Sequence, residues 1–367
     1  MSDFIQLHLL TSYAPANLNR DDLGRPKTAV MGGVPRLRVS SQSLKRAWRT
    51  SDVFDQKLSG YMGLRTKEVG LQVFEKLIEK GVKPPQALVC AKRIAGVFGK
   101  LDELSKKEKE ELKKLDGEEK INKQKKELRI LQLAHIGTEE QAAIDALISK
   151  IAESGEELTD QDLDLLRKKN KAVDIALFGR MLADATAYNV EAAAQVAHAI
   201  SVHRVTVEDD FFTAVDDLNL GREDSGASHL GETEFAAGVL YQYVCIDRQL
   251  LVENLGDDSE LAEKTIAALI ETAATVAPTG KQNSFASRAY ASYVLCERGD
   301  AQPRSLSVAF LKPVSGSDFM EEAIDRLEQY RENLNKVYGT EGMKSTALNA
   351  SKGQGSLSEL VTFASKG

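Results

Sequence analysis

Cysteine is scarce: Cys90, Cys245 and Cys296 are widely spaced and odd in number among 367 residues. That excludes a disulfide framework and predicts a reducing cytoplasm. The five histidines offer no zinc site either, since His198 and His203 are five apart and His229 is distant from both. No apolar run approaches the roughly 20 residues that a membrane span needs, and the start MSDFIQLHLL is acidic and polar where a signal peptide is basic. Gly280-Lys281 lacks the upstream Gly and the downstream Ser or Thr of a phosphate-binding P-loop. There is no internal repeat, and no aromatic string of the RNP1 type that stacks bases on a sheet. Positive charge is short as well. The 48 Lys and Arg against 55 Asp and Glu leave −7, which argues against a general nucleic-acid binder.

What is present is an ordinary globular composition, 42% hydrophobic and 28% charged, with an uneven charge distribution. Residues 1–50 hold eight cations (Arg20, Arg25, Lys27, Arg36, Arg38, Lys45, Arg46, Arg49) against Asp3, Asp21 and Asp22. That segment carries +5, so the rest of the chain carries −12. A basic face on an acidic body suits one anionic ligand at one place.

The alternation of Ile5, Leu7 and Leu9 predicts a strand over 3–10, followed by a loop over 11–34 and a second strand at 36–40. A helix then starts at Ser40 or Ser41, both good N-caps. Leu44, Ala47 and Trp48 form its buried stripe, while Gln42, Lys45, Arg46 and Arg49 form a stripe of one amide and three cations. Residues 52–171 read as helical throughout, with 100–129 a solvated, charge-balanced hairpin. Beyond them the pattern predicts strands at 173–181, 201–207, 234–246, 289–297 and 305–311. Helices are expected at 187–200, 259–276 and 318–337, a polar, turn-rich stretch at 208–228, and a frayed last thirty residues. The fold class expected is α+β, an antiparallel sheet with a large helical insertion.

Several strings in this order resemble one family. LNRDD (18–22), GG (32–33), RLRVSSQSLKRAWR (36–49), VDIALFGRM (173–181), AHAI (197–200), FTAVDDL (212–218) and HLGETEFAAGVLYQY (229–243) are similar to the CasC family. CasC is the guide-RNA-coating backbone subunit of the type I-E CRISPR Cascade complex. The resemblance implies an RRM-like palm assembled from 1–57, 172–203 and 229–340, helical fingers over 58–171, a thumb hairpin over 204–228 and a separate segment 341–367. It implies a helical filament of about six copies on CRISPR guide RNA. It also implies as partners target DNA, the large, small, guide-end-binding and endoribonuclease subunits of Cascade, and a recruited helicase-nuclease. No cofactor, metal or catalytic residue is implied.

Carried over by position, the RNA contacts are Arg20, Lys27, Ser40, Gln42, Lys45, Arg46 and Arg49 on the palm, Met181, and Phe211, Phe212 and Thr213 at the thumb. Lys281, in the loop 276–284, is placed near phosphate. Each has a plainer reading: an ion-pair stripe for the cations, core filling for Met181, and a hairpin burying two aromatics for Phe211-Phe212. Yet no acid lies between Ser40 and Thr50 to pair the stripe, and aromatics beside Asp209 and Asp210 suit a wedge between bases. Two other functions stay open. One is a metal-dependent RNA-cleaving subunit using Asp216-Asp217 with Asp209, Asp210 or Glu223. The other is a general RRM-type RNA-binding protein.

Overall fold

The computed structural model describes residues 3–214, 229–340 and 343–366. It divides into two compact units. One comprises residues 1–57, 194–249 and 263–367; the other comprises 58–193 and 250–262. The described strands are β1 (Phe4–Ala16), β2 (Thr28–Met31), β3 (Val34–Val39), β4 (Leu64–Thr66), β5 (Ala134–Ile136), β6 (Ala194–Val196), β7 (Ala199–Ser201), β8 (Glu208–Ala214), β9 (His229–Asp247), β10 (Tyr293–Gly299) and β11 (Lys344–Asn349). The protein is thus a mixed α/β chain with a large antiparallel sheet and many helices.

The sheet belongs to the first unit and runs β11-β10-β1-β9-β7-β3-β2, with β6 and β8 also paired to β9. Within it β1 lies between β9 and β10, pairing Leu7 with Val244 on one side and with Cys296 on the other. Both faces of β1 are buried, not only Ile5, Leu7 and Leu9 but also Gln6, His8 and Leu10. One face carries Leu10, Tyr241, Tyr243, Tyr293 and Leu295. It is covered by Phe310 and by Ala323, Ile324 and Leu327 of the helix Phe319–Tyr338.

The second unit has its own core. Helices Val69–Glu79, Pro84–Phe98 and Thr138–Ser154 bury Phe74, Leu77, Ile94, Ile144 and Ile148 around the small β4-β5 pair. Residues 100–129 form short charged helices laced by Lys109–Glu103, Lys123–Glu111 and Lys126–Glu108, a solvated face as their composition predicts.

The elements at 41–49, 259–275 and 319–338 lie where the pattern places them. Others differ for identifiable reasons. Residues 173–178 are a helix, not a strand, closed by Gly179 at φ 80°; periodicity cannot separate the two in so short an apolar run. The Ala-rich stretch 187–200 is not a helix. Pairing of Ala194 with Ile246 and of Ile200 with Tyr241 overrides alanine's helix propensity. Residues 305–311 make a 3-10 turn rather than a strand, only Ser201 of 201–207 lies in a strand, and 159–170 holds only a 3-10 turn. The last thirty residues are anchored. β11 pairs with β10, and Arg298 donates to the carbonyls of Phe363 and Ala364 on the helix Leu357–Ser365.

Candidate nucleic-acid interface

Ser40 is the N-cap of the helix Ser41–Arg49: its hydroxyl accepts the Ser43 N–H at 3.3 Å, and it is buried. The helix buries Leu44, Ala47 and Trp48, as its stripe predicts, and leaves Gln42 and Arg46 exposed with Lys45 and Arg49 half-buried. Asn19 joins the neighbouring segments, because its Oδ1 accepts the Ser40 N–H at 2.9 Å and its carbonyl accepts the Lys27 N–H at 2.8 Å. Arg20 bridges Pro26 and is exposed. With Ser43 of the helix and Thr279-Gly280 of the 276–284 loop it lines an open groove of about 480 Å³. Asp21 and Asp22 line the same groove, but Asp21 Oδ1 is committed to the N–H groups of Leu23 and Arg25.

The first fifty residues contribute fewer free cations than their count suggests. Arg36 and Arg38 are two apart on β3 and so leave the same face of the sheet, and burial rather than alternation separates them. Arg36 is fully buried and donates to the carbonyls of Met31, Ser201, Phe310 and Leu311. Arg25 pairs with Glu234 at 3.1 Å. Arg38 reaches the surface, where Nη1 lies 3.0 Å from His198 Nδ1. Partial burial lowers the His198 pKa, and the fields of Arg38, Lys27 and Lys45 lower it further. These four side chains therefore share one electropositive patch. Sequence reasoning missed Arg38 and His198 as parts of this patch, and strand spacing offered no signal for Arg38, since it places that residue on the face of the buried Arg36.

The β8-β9 hairpin separates its two aromatics. Adjacent residues of a strand face opposite ways, so Phe212, opposite Gly231, and Phe211, opposite Glu232, lie on different faces. Phe211 is 66% exposed and Phe212 44%, while Thr213 is exposed on the face of Phe211. A Cβ on Gly231 would lie 2.2 Å from Phe212 Cζ, so the ring lies over the glycine. The hairpin base is held on both faces. Glu234 takes Arg25 on one, and Lys281 Nζ reaches Thr233 Oγ1 at 3.3 Å on the other, where Phe285 packs beside Phe235. Lys281 thus contacts the hairpin. Asp216, Asp217 and Glu223 lie outside the described residues.

Met181 belongs to the second unit. It is 82% exposed, which excludes core filling. Its neighbours are fixed: Arg180 is buried against Glu140 at 2.7 Å, its backbone bridges Val190, and the Leu182 N–H donates to Asn189 Oδ1. Among the described residues no group of three His, Cys, Asp or Glu could hold a metal ion. None of the described helices is long and apolar enough to cross a membrane.

The CT1975-like protein family matches residues 5–365, and the chain belongs to it. A solved structure described as "CRISPR RNA-guided surveillance complex, pre-nicking" contains a chain 30% identical to this one, with a TM-score of 0.77, covering 94% of this chain and 90% of that chain. A second, described as "CRISPR RNA-guided surveillance complex", shares the fold at 24% identity and a TM-score of 0.70, covering 97% of this chain and 94% of that one. No curated protein matches the chain.

Proposed function

We propose that this chain is a non-catalytic backbone subunit of a CRISPR RNA-guided surveillance complex of the type I-E Cascade kind, repeated along the guide RNA. The observation that carries the reading is the electropositive patch of Lys27, Arg38 and Lys45 with His198. It is built by the segments that hold Arg20, Gln42, Arg46 and Arg49, in a chain 30% identical to a component of such a complex. In this reading the first unit is the RRM-like palm and the second the fingers. The β8-β9 hairpin is the thumb, whose aromatics wedge and kink the strand. Lys and Arg contacts to phosphate carry no sequence preference, which suits a guide whose sequence varies. The spaced, stacked segments between kinks pair with target DNA, and cutting falls to a recruited helicase-nuclease. The large, small, guide-end-binding and endoribonuclease subunits complete the complex in the cytoplasm.

Binding on the sheet face, as a general RRM protein would do, is disfavoured because Tyr241, Tyr243 and Tyr293 lie beneath the helix Phe319–Tyr338. Charge reversal at Lys45, Arg46 and Arg49 tests the phosphate grip. The slope of log affinity against log salt should fall by roughly 0.7 for each phosphate that is no longer neutralised on single-stranded RNA. An unchanged slope would turn this face away from RNA. The non-catalytic reading is tested with the assembled complex, a complementary RNA and Mg²⁺. Regularly spaced cuts that disappear in Asp217→Ala would replace it with the cleaving one.

A further inference from the structure

Beside the electropositive patch lies a pocket of about 340 Å³, lined by Met31 of β2, Ala197 and His198 of the link between β6 and β7, Ile200 of β7, and Ser307 and Phe310 of the 3-10 turn. It is preformed. Gly32 and Gly33 both have positive φ, 60° and 77°, the requirement of a tight two-residue hairpin turn between β2 and β3. A Cβ on Gly32 would lie 1.7 Å from the Leu311 carbonyl oxygen, so only glycine lets the turn approach the 3-10 segment. Arg36 then ties three walls together by donating to the carbonyls of Met31, Ser201 and Phe310, all lining residues. Among the described residues its guanidinium is met by neutral carbonyls.

We propose that this pocket receives one unstacked nucleobase of a single-stranded RNA, whose flanking phosphates are held by Lys27, Arg38 and Lys45. The proposal rests on the reading of the chain as an RNA binder and adds a base-accepting site to it. The walls are largely apolar, and the buried polar groups behind them are already committed. The Tyr241 hydroxyl meets His8 Nδ1 at 2.9 Å and accepts the Leu306 N–H at 3.0 Å. Ser201 Oγ donates to the His203 carbonyl at 2.8 Å and accepts the Leu37 N–H at 2.9 Å. A base entering here is held by packing and stacking without having to match a fixed pattern of donors and acceptors, so all four bases are tolerated. At the mouth, His198 is kept neutral by partial burial and the three surrounding cations, and it offers a flat ring. A volume near the low end of small-ligand sites suits a single base rather than an extended chain. A flat, apolar body with an anionic link on either side is the chemistry of a nucleotide within a strand.

The test uses the full chain and a short single-stranded RNA carrying 4-thiouridine. Ala197→Leu and Ser307→Leu fill the pocket from different walls and leave every cation in place; circular dichroism checks that each folds, and either one that does decides the matter. Photo-adducts are expected on peptides containing Met31 or His198. Each filled variant should bind about tenfold more weakly, the effect of removing one stacked base, with the salt slope unchanged. A fully abasic strand should bind the parent protein and the variants alike. Affinity at the parent level in the filled variants, with adducts elsewhere, overturns this site alone. Loss of self-association with RNA binding intact would assign the pocket to the acidic, aromatic β8-β9 hairpin of a second copy and likewise overturn it. Failure of the parent protein to bind RNA at all removes the underlying reading and the site with it.

Discussion

Arginines separate into structural and surface roles that composition does not distinguish. Arg36 and Arg180 are buried, whereas Arg38 and Arg46 face outward or lie at the surface. The Gly179-Arg180-Met181 string shows the division within three residues. Arg180 bonds both carboxylate oxygens of Glu140 and the carbonyls of Arg167 and Tyr188, and Met181 projects from this anchor. Removing one partner of a buried ion pair leaves an uncompensated charge, so Glu140→Ala should destabilise the protein by about 3–5 kcal/mol in urea unfolding. Met181→Ala should change stability by no more than about 0.5 kcal/mol, since the residue is exposed. Equal losses in the two variants would contradict this division. In the sequence the cation stripe of 42–49 was legible because helical spacing alone places those residues. The burial of Arg36 and Arg180 was not, since it depends on carbonyls and a carboxylate tens of residues away.

At the level of elements, the sequence predicted best where one period ran long enough. The helices at 259–275 and 319–338 and the long strand β9 are of that kind. It failed where a short segment takes its conformation from a partner, as β6 and β7 do from β9 and β11 does from β10. The hairpin was legible as a polar stretch with two aromatics, but the role of Gly231 appears only once the register is known. Gly231→Ala would place a methyl within the Phe212 ring and force that ring off its seat. Chemical probing of bound RNA should then lose its periodic reactive positions, as it should in Phe212→Ala, while Phe211 remains in place. If Gly231→Ala keeps the periodicity that Phe212→Ala abolishes, the ring's seat over the glycine does not matter to the strand. The β11 pairing makes a related claim for stability. Truncation after residue 340 removes the edge strand beside β10 and the carbonyls that hold Arg298. An exposed edge strand invites association, so the shortened chain should unfold at lower urea and aggregate where the full chain does not.

At the scale of the whole molecule, each unit must draw its stability from contacts between distant stretches of chain, and in the first unit many of these are polar. Glu297 of β10 is fully buried and accepts from Arg304 at 2.9 and 3.0 Å, from Arg331 of the helix Phe319–Tyr338 at 3.1 Å and from His8 of β1 at 3.3 Å. His8 in turn meets the Tyr241 hydroxyl of β9. Burial would raise the Glu297 carboxyl, but the hydrogen bonds from His8 and Arg304 outweigh it and hold the group at about 2, below its ordinary 4.5. Burial lowers the His8 pKa below 6.5 against the pull of Glu297, so the ring stays neutral, donating to Glu297 and accepting from Tyr241. Both folded values are depressed, so unfolding takes up protons and stability must fall with falling pH. The His8 contribution is complete above 6.5 and is lost as pH drops below it; that of Glu297 is complete above 4.5 and is lost toward 2. One proton accounts for at most about 1.4 kcal/mol per pH unit. His198 shifts the same way, but its exposure leaves it a smaller share. Urea midpoints measured between pH 7 and 5 should therefore decline for the parent protein and decline less for His8→Gln, which keeps a donor toward Glu297 without a titrating ring. Identical declines in the two would mean that the proton is taken up elsewhere and that the centre of the sheet does not govern the acid limb.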